Sequence, residues 1–230
     1  MPRSRRQRGY PMAVLIGLEN KRALFWEVYS NQVKPGSVKV WQDNEYNFFE
    51  SLVDELRPYI KRGMKTVILA SESGKKIEGF MGHIEKHQSW MVRGYELNRV
   101  TFQVVEGSAG NVESLWALIN ASGFREKINK GVDDDLKLLI SELKKRLSTD
   151  EGIDSLMFSL DEVENAVYNG NNIEYILVSR RFLDQHRRRM QRLLQVAEKR
   201  EIKTRVLSQD SPQIGTINQF GGMICLLQVP

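Results

Sequence analysis

The sequence predicts an α/β protein with two domains. Short apolar runs typical of buried strands alternate with segments whose apolar residues recur at helical spacing, and the alternation occurs in two blocks. Size supports the same class, because 230 residues with 41% hydrophobic side chains are enough for two cores of ordinary size. We expect the two blocks, each with its own sheet, to meet between residues 127 and 132.

The first block begins with a predicted hairpin. Strands over 13–18 and 22–30 flank Glu19-Asn20-Lys21, a segment that suits a tight turn. Pro35-Gly36 predicts a loop over residues 31–43. The elements predicted after it are a helix over 44–61, a strand over 66–70, a helix over 75–88 and a strand over 99–105.

A glycine loop, Gly107–Gly110, follows the last of these strands and precedes a helix. This layout resembles a phosphate cradle, but a P-loop needs Lys followed by Ser or Thr after the last glycine, and here Asn111-Val112 follow. The spacing also differs from a dinucleotide fingerprint. The sequence therefore favours a sharp strand-to-helix turn with positive backbone angles over an anion site.

The second block begins with a helix predicted to start at Asp133. The acids Asp133–Asp135 precede its apolar residues and the bases Lys144–Arg146 follow them, which complements the helix dipole. Ser159 and Glu162 form a capping-box pattern before the next helix. The remaining predicted elements are a strand over 173–179, a helix over 181–200, a strand over 203–208, a helix over 212–220 and a strand over 223–229.

Positive charge is concentrated in two segments. The net charge is +5, yet residues 1–10 hold +4, residues 180–205 hold +7, and the rest of the chain therefore holds −6. Such segregation is typical of proteins that bind a polyanion. In the predicted helix over 181–200, one face is apolar and another is basic, and guanidinium groups suit phosphate. The predicted RNA-binding residues are Arg3, Arg5, Arg6, Arg8, Arg188, Arg192 and Lys199.

The sequence offers little support for metal or cofactor chemistry, and we predict neither. His83 and His87 share a helix face, but no third ligand is evident, and zinc needs at least three protein ligands. A nuclease would need converging carboxylates, for which Glu19, Glu27 and Glu106 are available.

The one cysteine, Cys225, lies in an apolar run and is expected in the core. A lone cysteine cannot form an internal disulfide, which favours a cytoplasmic location. No apolar run approaches the ~20 residues of a membrane span, so we predict no membrane partner.

Three long stretches of the sequence are informative when taken together: "GSAGNVESLW…INASGFREKI", "DDDLKLLISELKKRLSTDEGIDSLMFSLDEVENAVYNGNNIEYILVS" and "AEKREIKTRVLSQDSPQIGTINQFGGMICLLQ". They resemble the Pelota and class-one release-factor family of archaea and eukaryotes. The most specific parts are "LDEVENAVYNGNNIEYILVS" and "FGGMICLLQ", where the family has Gly-Gly before an apolar final strand. The resemblance extends over residues 13–229.

The resemblance implies a ribonuclease-H-like central domain over 13–129 and, over 130–230, an α/β/α domain similar to kink-turn-binding ribosomal proteins. Residues 1–12 are predicted to be a basic flexible arm at the position where the family has another domain. The implied partners are the ribosome or its RNA and tRNA, together with a translational GTPase. Ribosome rescue and mRNA surveillance are the implied roles.

Two departures bear on function. Release factors have Gly-Gly-Gln in a loop where this chain has "NQVKPGSVKVWQDN", so the chain is similar to non-hydrolytic Pelota. The alternative is a peptidyl-tRNA hydrolase that uses Gln32 or Gln42, and a second alternative is a protein-interaction adapter. In "SESGKKIEGF", Phe80 occupies the position of a Pelota Pro-Gly-Phe near the GTPase-facing surface, although the proline is absent, and it is the predicted partner-binding residue.

Overall fold

The computed structural model describes residues 9–41, 43–94 and 96–228. The described residues divide into two compact units. One contains residues up to 60 together with 64–135, and the other contains 61–63 and 136–228. Each unit has its own sheet, so the predicted α/β class with two sheets is confirmed.

The sheet of the first unit combines antiparallel and parallel pairing. Its described strands are β1 (Pro11–Leu18), β2 (Arg22–Tyr29), β3 (Val33–Val40), β4 (Thr66–Ser71) and β5 (Thr101–Glu106). They lie in the order β3-β2-β1-β4-β5. The pairs β1–β2 and β2–β3 are antiparallel, whereas β1–β4 and β4–β5 are parallel. Every residue of β4 is buried, as expected for a strand covered on both faces.

Helices cover both faces of this sheet. They are α1 (Glu45–Lys61), α2 (Gly74–His87), α3 (Trp90–Arg93), α4 (Val112–Asn120) and α5 (Phe124–Leu147), and a short 3-10 turn spans Glu96–Asn98. On one face, Val14 and Ile16 of β1 pack with apolar residues of α1 and α2. On the other face, Ala13 and Leu15 pack with residues of α4 and α5. The alternation along β1 follows from the period of two in a strand.

The sheet of the second unit is smaller. The described elements after α5 are α6 (Asp150–Asp154), β6 (Leu156–Met157), α7 (Leu160–Asn169), β7 (Ile173–Ser179), α8 (Arg180–Gln185), α9 (Arg187–Lys199), β8 (Lys203–Leu207), α10 (Ile214–Gln219) and β9 (Met223–Leu227). The strand order is β6-β9-β7-β8, with β7 and β8 parallel. Cys225 of β9 is fully buried, and burial raises the pKa of its thiol to about 12.

Two predicted boundaries are wrong. The segment predicted as a loop over 31–43 contains β3. Pro35-Gly36 is accommodated because β3 is an edge strand, where proline is tolerated. It lies opposite an irregularity in the pairing with β2 between Leu24 and Trp26. The helix predicted to start at Asp133 starts at Phe124. Apolar residues such as Phe124 and Ile128 pack on the sheet, and this packing extends the helix nine residues upstream.

The basic segment differs from prediction in one respect. The helix predicted over 181–200 is two helices, α8 and α9, separated at His186. His186 has φ −106° and ψ 31°, which lies outside the helical region, and its ring packs against Phe182 with centroids 4.4 Å apart. The break separates Arg180 and Arg181 from the arginines of α9.

Candidate nucleic-acid interface

The helix α9 has one buried and one basic face. Met190, Leu193 and Ala197 are buried against the second unit's core. Arg188, Arg192 and Lys199 are all exposed. Arg188 and Arg192 are one helical turn apart, roughly 6 Å along the axis. The predicted RNA-binding residues of this segment therefore share an accessible surface.

The charges of this surface are not neutralised locally. Among the residues that the structure describes, none forms an ion pair with Arg188, Arg192 or Lys199. Exposed guanidinium and ammonium groups of this kind are available to donate hydrogen bonds to phosphate oxygens. We call Arg188, Arg192 and Lys199 the basic face of α9.

Arg189 belongs to the same run of arginines but has a different environment. Its guanidinium pairs with Asp161 and with Glu164 of α7, the latter at 2.6 Å. Hydrogen bonds to Glu164 and to Asp161 raise the pKa of Arg189 above its ordinary value. Sequence reasoning missed this difference, because the partners lie more than twenty residues upstream. The signal that the sequence offers is that Asp161 and Glu164 are three residues apart and so lie on one face of α7.

The other predicted RNA-binding residues, Arg3, Arg5, Arg6 and Arg8, lie outside the described residues. So does Gln42, one of the two glutamines of the hydrolase alternative. Gln32 is described, and its carbonyl accepts a hydrogen bond from the Tyr29 amide at 2.8 Å. This contact places Gln32 in the tight connection between β2 and β3 rather than in an extended loop.

The glycine loop is occupied by contacts within the chain. The Gly110 amide donates to the Ser108 hydroxyl at 3.1 Å. The Ser114 amide donates to the Asn111 side chain at 2.8 Å as part of a capping box at the start of α4. The Ser108 hydroxyl donates to the Glu19 carboxylate at 2.7 Å. The Glu19 carboxylate would repel an anion bound at this loop. The amides of Gly110 and Ser114 already donate to side chains of the loop, so they are not available to an anion.

The loop's glycines have a structural role. Gly107 has φ +126°, a backbone conformation that favours glycine. The Trp26 indole donates to the Ala109 carbonyl at 2.8 Å, and Arg22 donates to the Gly110 carbonyl at 3.1 Å. These bonds fasten the loop to the β1–β2 hairpin. The predicted strand-to-helix turn is present, but of the two glycines in the loop Gly107 alone has the predicted positive φ, and Gly110 does not.

Phe80 lies in the core of the first unit. Its side chain has no exposed surface, and its ring packs against Phe49 with centroids 5.5 Å apart. A fully buried side chain cannot contact a partner directly, so the structure contradicts a direct partner contact by Phe80. The periodicity of α2 places Phe80 with Ile77 and Ile84 on the inward face.

The two neighbouring histidines interact with a carboxylate. The His83 ring lies 2.7 Å from Glu50 of α1, and the centroids of His83 and His87 are 4.9 Å apart. Within the described ranges, no group of three His, Cys, Asp or Glu residues is placed to hold a metal ion. Two of the carboxylates considered for a nuclease, Glu27 and Glu106, lie on strands that are not neighbours. Glu27 is on β2 and Glu106 is on β5, and strands β1 and β4 lie between them. Glu27 also accepts a hydrogen bond from the Tyr29 hydroxyl.

No helix among the described residues is long and apolar enough to cross a membrane.

The two-sheet architecture is similar to that of archaeal Pelota, which confirms the predicted resemblance at the level of the fold. Archaeal Pelota, in a ribosome-bound form with ABCE1, has 18% identity and a TM-score of 0.54 over 94% of this chain and 61% of that chain. S. cerevisiae Dom34, a translation termination-like factor that interacts with Hbs1, has 18% identity and a TM-score of 0.49 over 95% and 63%.

Archaeoglobus fulgidus Pelota has 20% identity and a TM-score of 0.42 over 96% of this chain and 65% of that chain. The present chain thus spans less than two thirds of the length of each of these proteins. No protein-family model and no curated protein sequence matches it.

Proposed function

We propose that this protein is a translation factor that binds the ribosome, and that the basic face of α9 contacts ribosomal RNA. The observation on which this rests is the contrast within one helix. Arg188, Arg192 and Lys199 are exposed without an ion-pair partner among the described residues, whereas Arg189 is neutralised by two acids. The three exposed side chains are therefore available to donate hydrogen bonds to phosphate oxygens, whereas the guanidinium of Arg189 is already engaged.

The fold is the second support. Archaeal Pelota, which shares it, is found bound to the ribosome. We therefore infer a non-catalytic role in ribosome rescue or mRNA surveillance, in the cytoplasm, with a translational GTPase as a second partner. The domain division implied by the family, with residues 13–129 and 130–230 as separate domains, is part of this proposal.

Ribosome sedimentation tests the proposal. The variant Arg188→Glu/Arg192→Glu should bind ribosomes at least about tenfold more weakly, and its log-log salt slope should fall by roughly 0.9 for each phosphate that is no longer neutralised. The matched control is Lys75→Glu/Lys86→Glu, which changes the net charge equally at two exposed positions of α2. If both variants sediment with ribosomes as the parent does, the basic face does not bind RNA.

The hydrolase alternative has its own test. Ribosomes with peptidyl-tRNA in the P site should keep the ester bond intact when the protein is added, because no Gly-Gly-Gln is present to orient water. Peptide release that disappears in Gln32→Ala or Gln42→Ala would establish the hydrolase instead.

A further inference from the structure

The basic residues of α9 form two stripes on neighbouring sides of the helix. The basic face, Arg188, Arg192 and Lys199, is exposed and extends over roughly 16 Å, because its ends are three turns of helix apart. Arg189 and the C-cap residue Arg200 are also three turns apart. They lie about 100° further round the helix, on the side that contacts α7.

Helix α7 engages this second stripe through hydrogen bonds. Nε and Nη2 of Arg189 donate to the two carboxylate oxygens of Glu164 at 3.2 Å and 2.6 Å, and Nη2 also donates to Asp161. Nη2 of Arg200 donates to the Tyr168 carbonyl at 3.1 Å, near the end of α7. Guanidinium groups bind phosphate with the same paired donors. Glu164 therefore occupies the donors with which Arg189 would bind a phosphate.

The charges of the two helices nearly balance, so their arrangement matters. Helix α7 contains three acids and no base, and α9 contains five bases and one acid, which leaves +1 in total. Glu162 caps α7 by accepting from the Ser159 amide at 3.1 Å, and Glu198 lies on the opposite side of α9 from Arg189. The Asp161 side chain is 81% exposed, so without Arg189 its charge would repel an RNA strand on α9.

We propose that Asp161 and Glu164 set one edge of the RNA-binding surface. They hold the guanidinium of Arg189 away from phosphate, and Arg189 in turn shields the RNA from their charge. The RNA contact is thereby confined to the basic face of α9, a narrow stripe that fits one line of phosphates. This inference rests on the proposed function and adds to it the residues that limit which cations of α9 bind RNA.

Removing the shield should weaken binding even though Arg189 does not contact RNA. Arg189→Met uncovers both acids beside Arg188, and ribosome binding should weaken roughly threefold, as is typical of exposed charges. The loss should shrink as salt rises, because the Debye length falls from about 10 Å at 0.1 M to about 3 Å at 1 M. Arg189→Lys keeps the positive charge and should bind nearly as the parent does.

Removing the acids should have the opposite effect. Asp161→Asn/Glu164→Gln frees Arg189 to bind a phosphate, so ribosome binding should tighten and the log-log salt slope should increase by roughly 0.9. Combining this change with Arg189→Met removes the acids and the base together, and the triple variant should bind as the parent does. If the ion pairs served only to hold α9 against α7, the triple variant would instead bind as weakly as Arg189→Met.

The experiment is a competition for purified ribosomes. Each unlabelled variant of the full chain displaces a trace of radiolabelled parent at about 0.1 M and about 0.5 M salt, and thermal unfolding of every variant is recorded in parallel. The matched control is Arg57→Met in the first unit. It also removes one arginine from an exposed acid, Asp54, which lies 3.3 Å away, and it should compete as the parent does.

The outcomes separate this inference from the proposed function. If Arg188→Glu/Arg192→Glu competes poorly while Arg189→Met and Asp161→Asn/Glu164→Gln both compete as the parent does, the edge is overturned and the RNA-binding face stands. A salt-independent loss for Arg189→Met, or weak competition by the triple variant, also overturns the edge. If Arg188→Glu/Arg192→Glu competes as the parent does, both proposals are overturned.

Discussion

Glu50 is a half-buried carboxylate that joins α1 to α2. It lies 2.7 Å from the His83 ring, and the Gln88 amide donates to it at 3.0 Å. Burial raises the pKa of Glu50, but the hydrogen bonds from Gln88 and His83 and the charges of His83 and Arg57 together hold it below its ordinary value of 4.5. The native state therefore favours the ionised carboxylate more than the unfolded chain does.

The stabilisation from Glu50 should depend on pH in one direction. A pKa lowered by folding contributes stability that is present above 4.5 and is lost as the pH falls through the native pKa. Glu50→Gln should lower the melting temperature at neutral pH, and its difference from the parent should shrink below pH 4.5. Thermal unfolding followed by circular dichroism between about pH 3 and pH 7 measures this difference.

Glu78→Gln is the control for this prediction, since Glu78 is exposed on α2. Its difference from the parent at neutral pH should be small, because an exposed side chain of this kind contributes little to stability. A melting-temperature difference for Glu50→Gln that stays constant or grows on acidification contradicts the assigned role.

Residues with distant partners show why some features could not be predicted from sequence. Arg146 was expected to complement the dipole at the end of a helix. In the structure its buried guanidinium pairs with Glu142 at 3.0 Å and with Glu174 of β7 at 2.9 Å, and it donates to the Leu227 carbonyl at 2.6 Å. The Glu142 contact follows from i,i+4 spacing, but the other two depend on how the chain folds.

At the scale of elements, β1 and the glycine loop pack at a position where only glycine fits. A side chain at Gly17 would place its Cβ 2.6 Å from the Ala109 carbonyl carbon and oxygen. That carbonyl also accepts the hydrogen bond from Trp26. The loop therefore cannot move away from β1 without weakening its attachment to β2.

Gly17→Ala should destabilise the protein by about 1–3 kcal/mol, because the added methyl group overpacks a rigid contact. Gly82→Ala is the matched control, since Gly82 lies within α2 and an added Cβ there meets no atom within 4 Å. It should stabilise the protein by about 0.5–1 kcal/mol. Urea unfolding compares the two variants, and equal effects of the same sign would contradict the close packing of β1 on the loop.

Elements with a strong local signal were predicted from sequence. Strand β7 has the predicted bounds, and the Ser159–Glu162 capping box is present at the start of α7. The errors occur where tertiary contacts outweigh local preference. Pro35-Gly36 indicates a turn, yet β3 forms there by pairing with β2. The first nine residues of α5 are stabilised by packing on the sheet, and no capping pattern in the sequence marks their start.

At the scale of the whole molecule, the basic face of α9 was predicted more completely than its surroundings. Amphipathic spacing identified Arg188, Arg192 and Lys199 as outward residues, and all are exposed. The neutralisation of Arg189 and the exposed edge of β3 were missed. The first depends on a contact between α7 and α9, which are separated along the chain. The second depends on β3, which was predicted as a loop.

The two basic segments should contribute independently to RNA binding. Residues 1–8 hold +4 and lie far along the chain from α9, so their pairing with phosphates should release separate counterions. A chain that begins at residue 9 should show a smaller log-log salt slope for ribosome binding than the parent, by roughly 0.9 for each phosphate that the arm neutralises. Its melting temperature should match the parent's, because the hydrogen bond from the Gly9 amide to Asn31 involves a residue that is retained.

Combining the truncation with Arg188→Glu/Arg192→Glu tests the independence. Distant sites without shared partners have additive effects within roughly 0.3–0.5 kcal/mol, so the decreases in binding free energy should sum. The measurement is ribosome sedimentation across a salt titration for the parent, each single change and the combination. A combined decrease equal to that of the larger single change would mean that both segments bind the same phosphates, and a truncation without effect would leave α9 as the RNA-binding surface of the molecule.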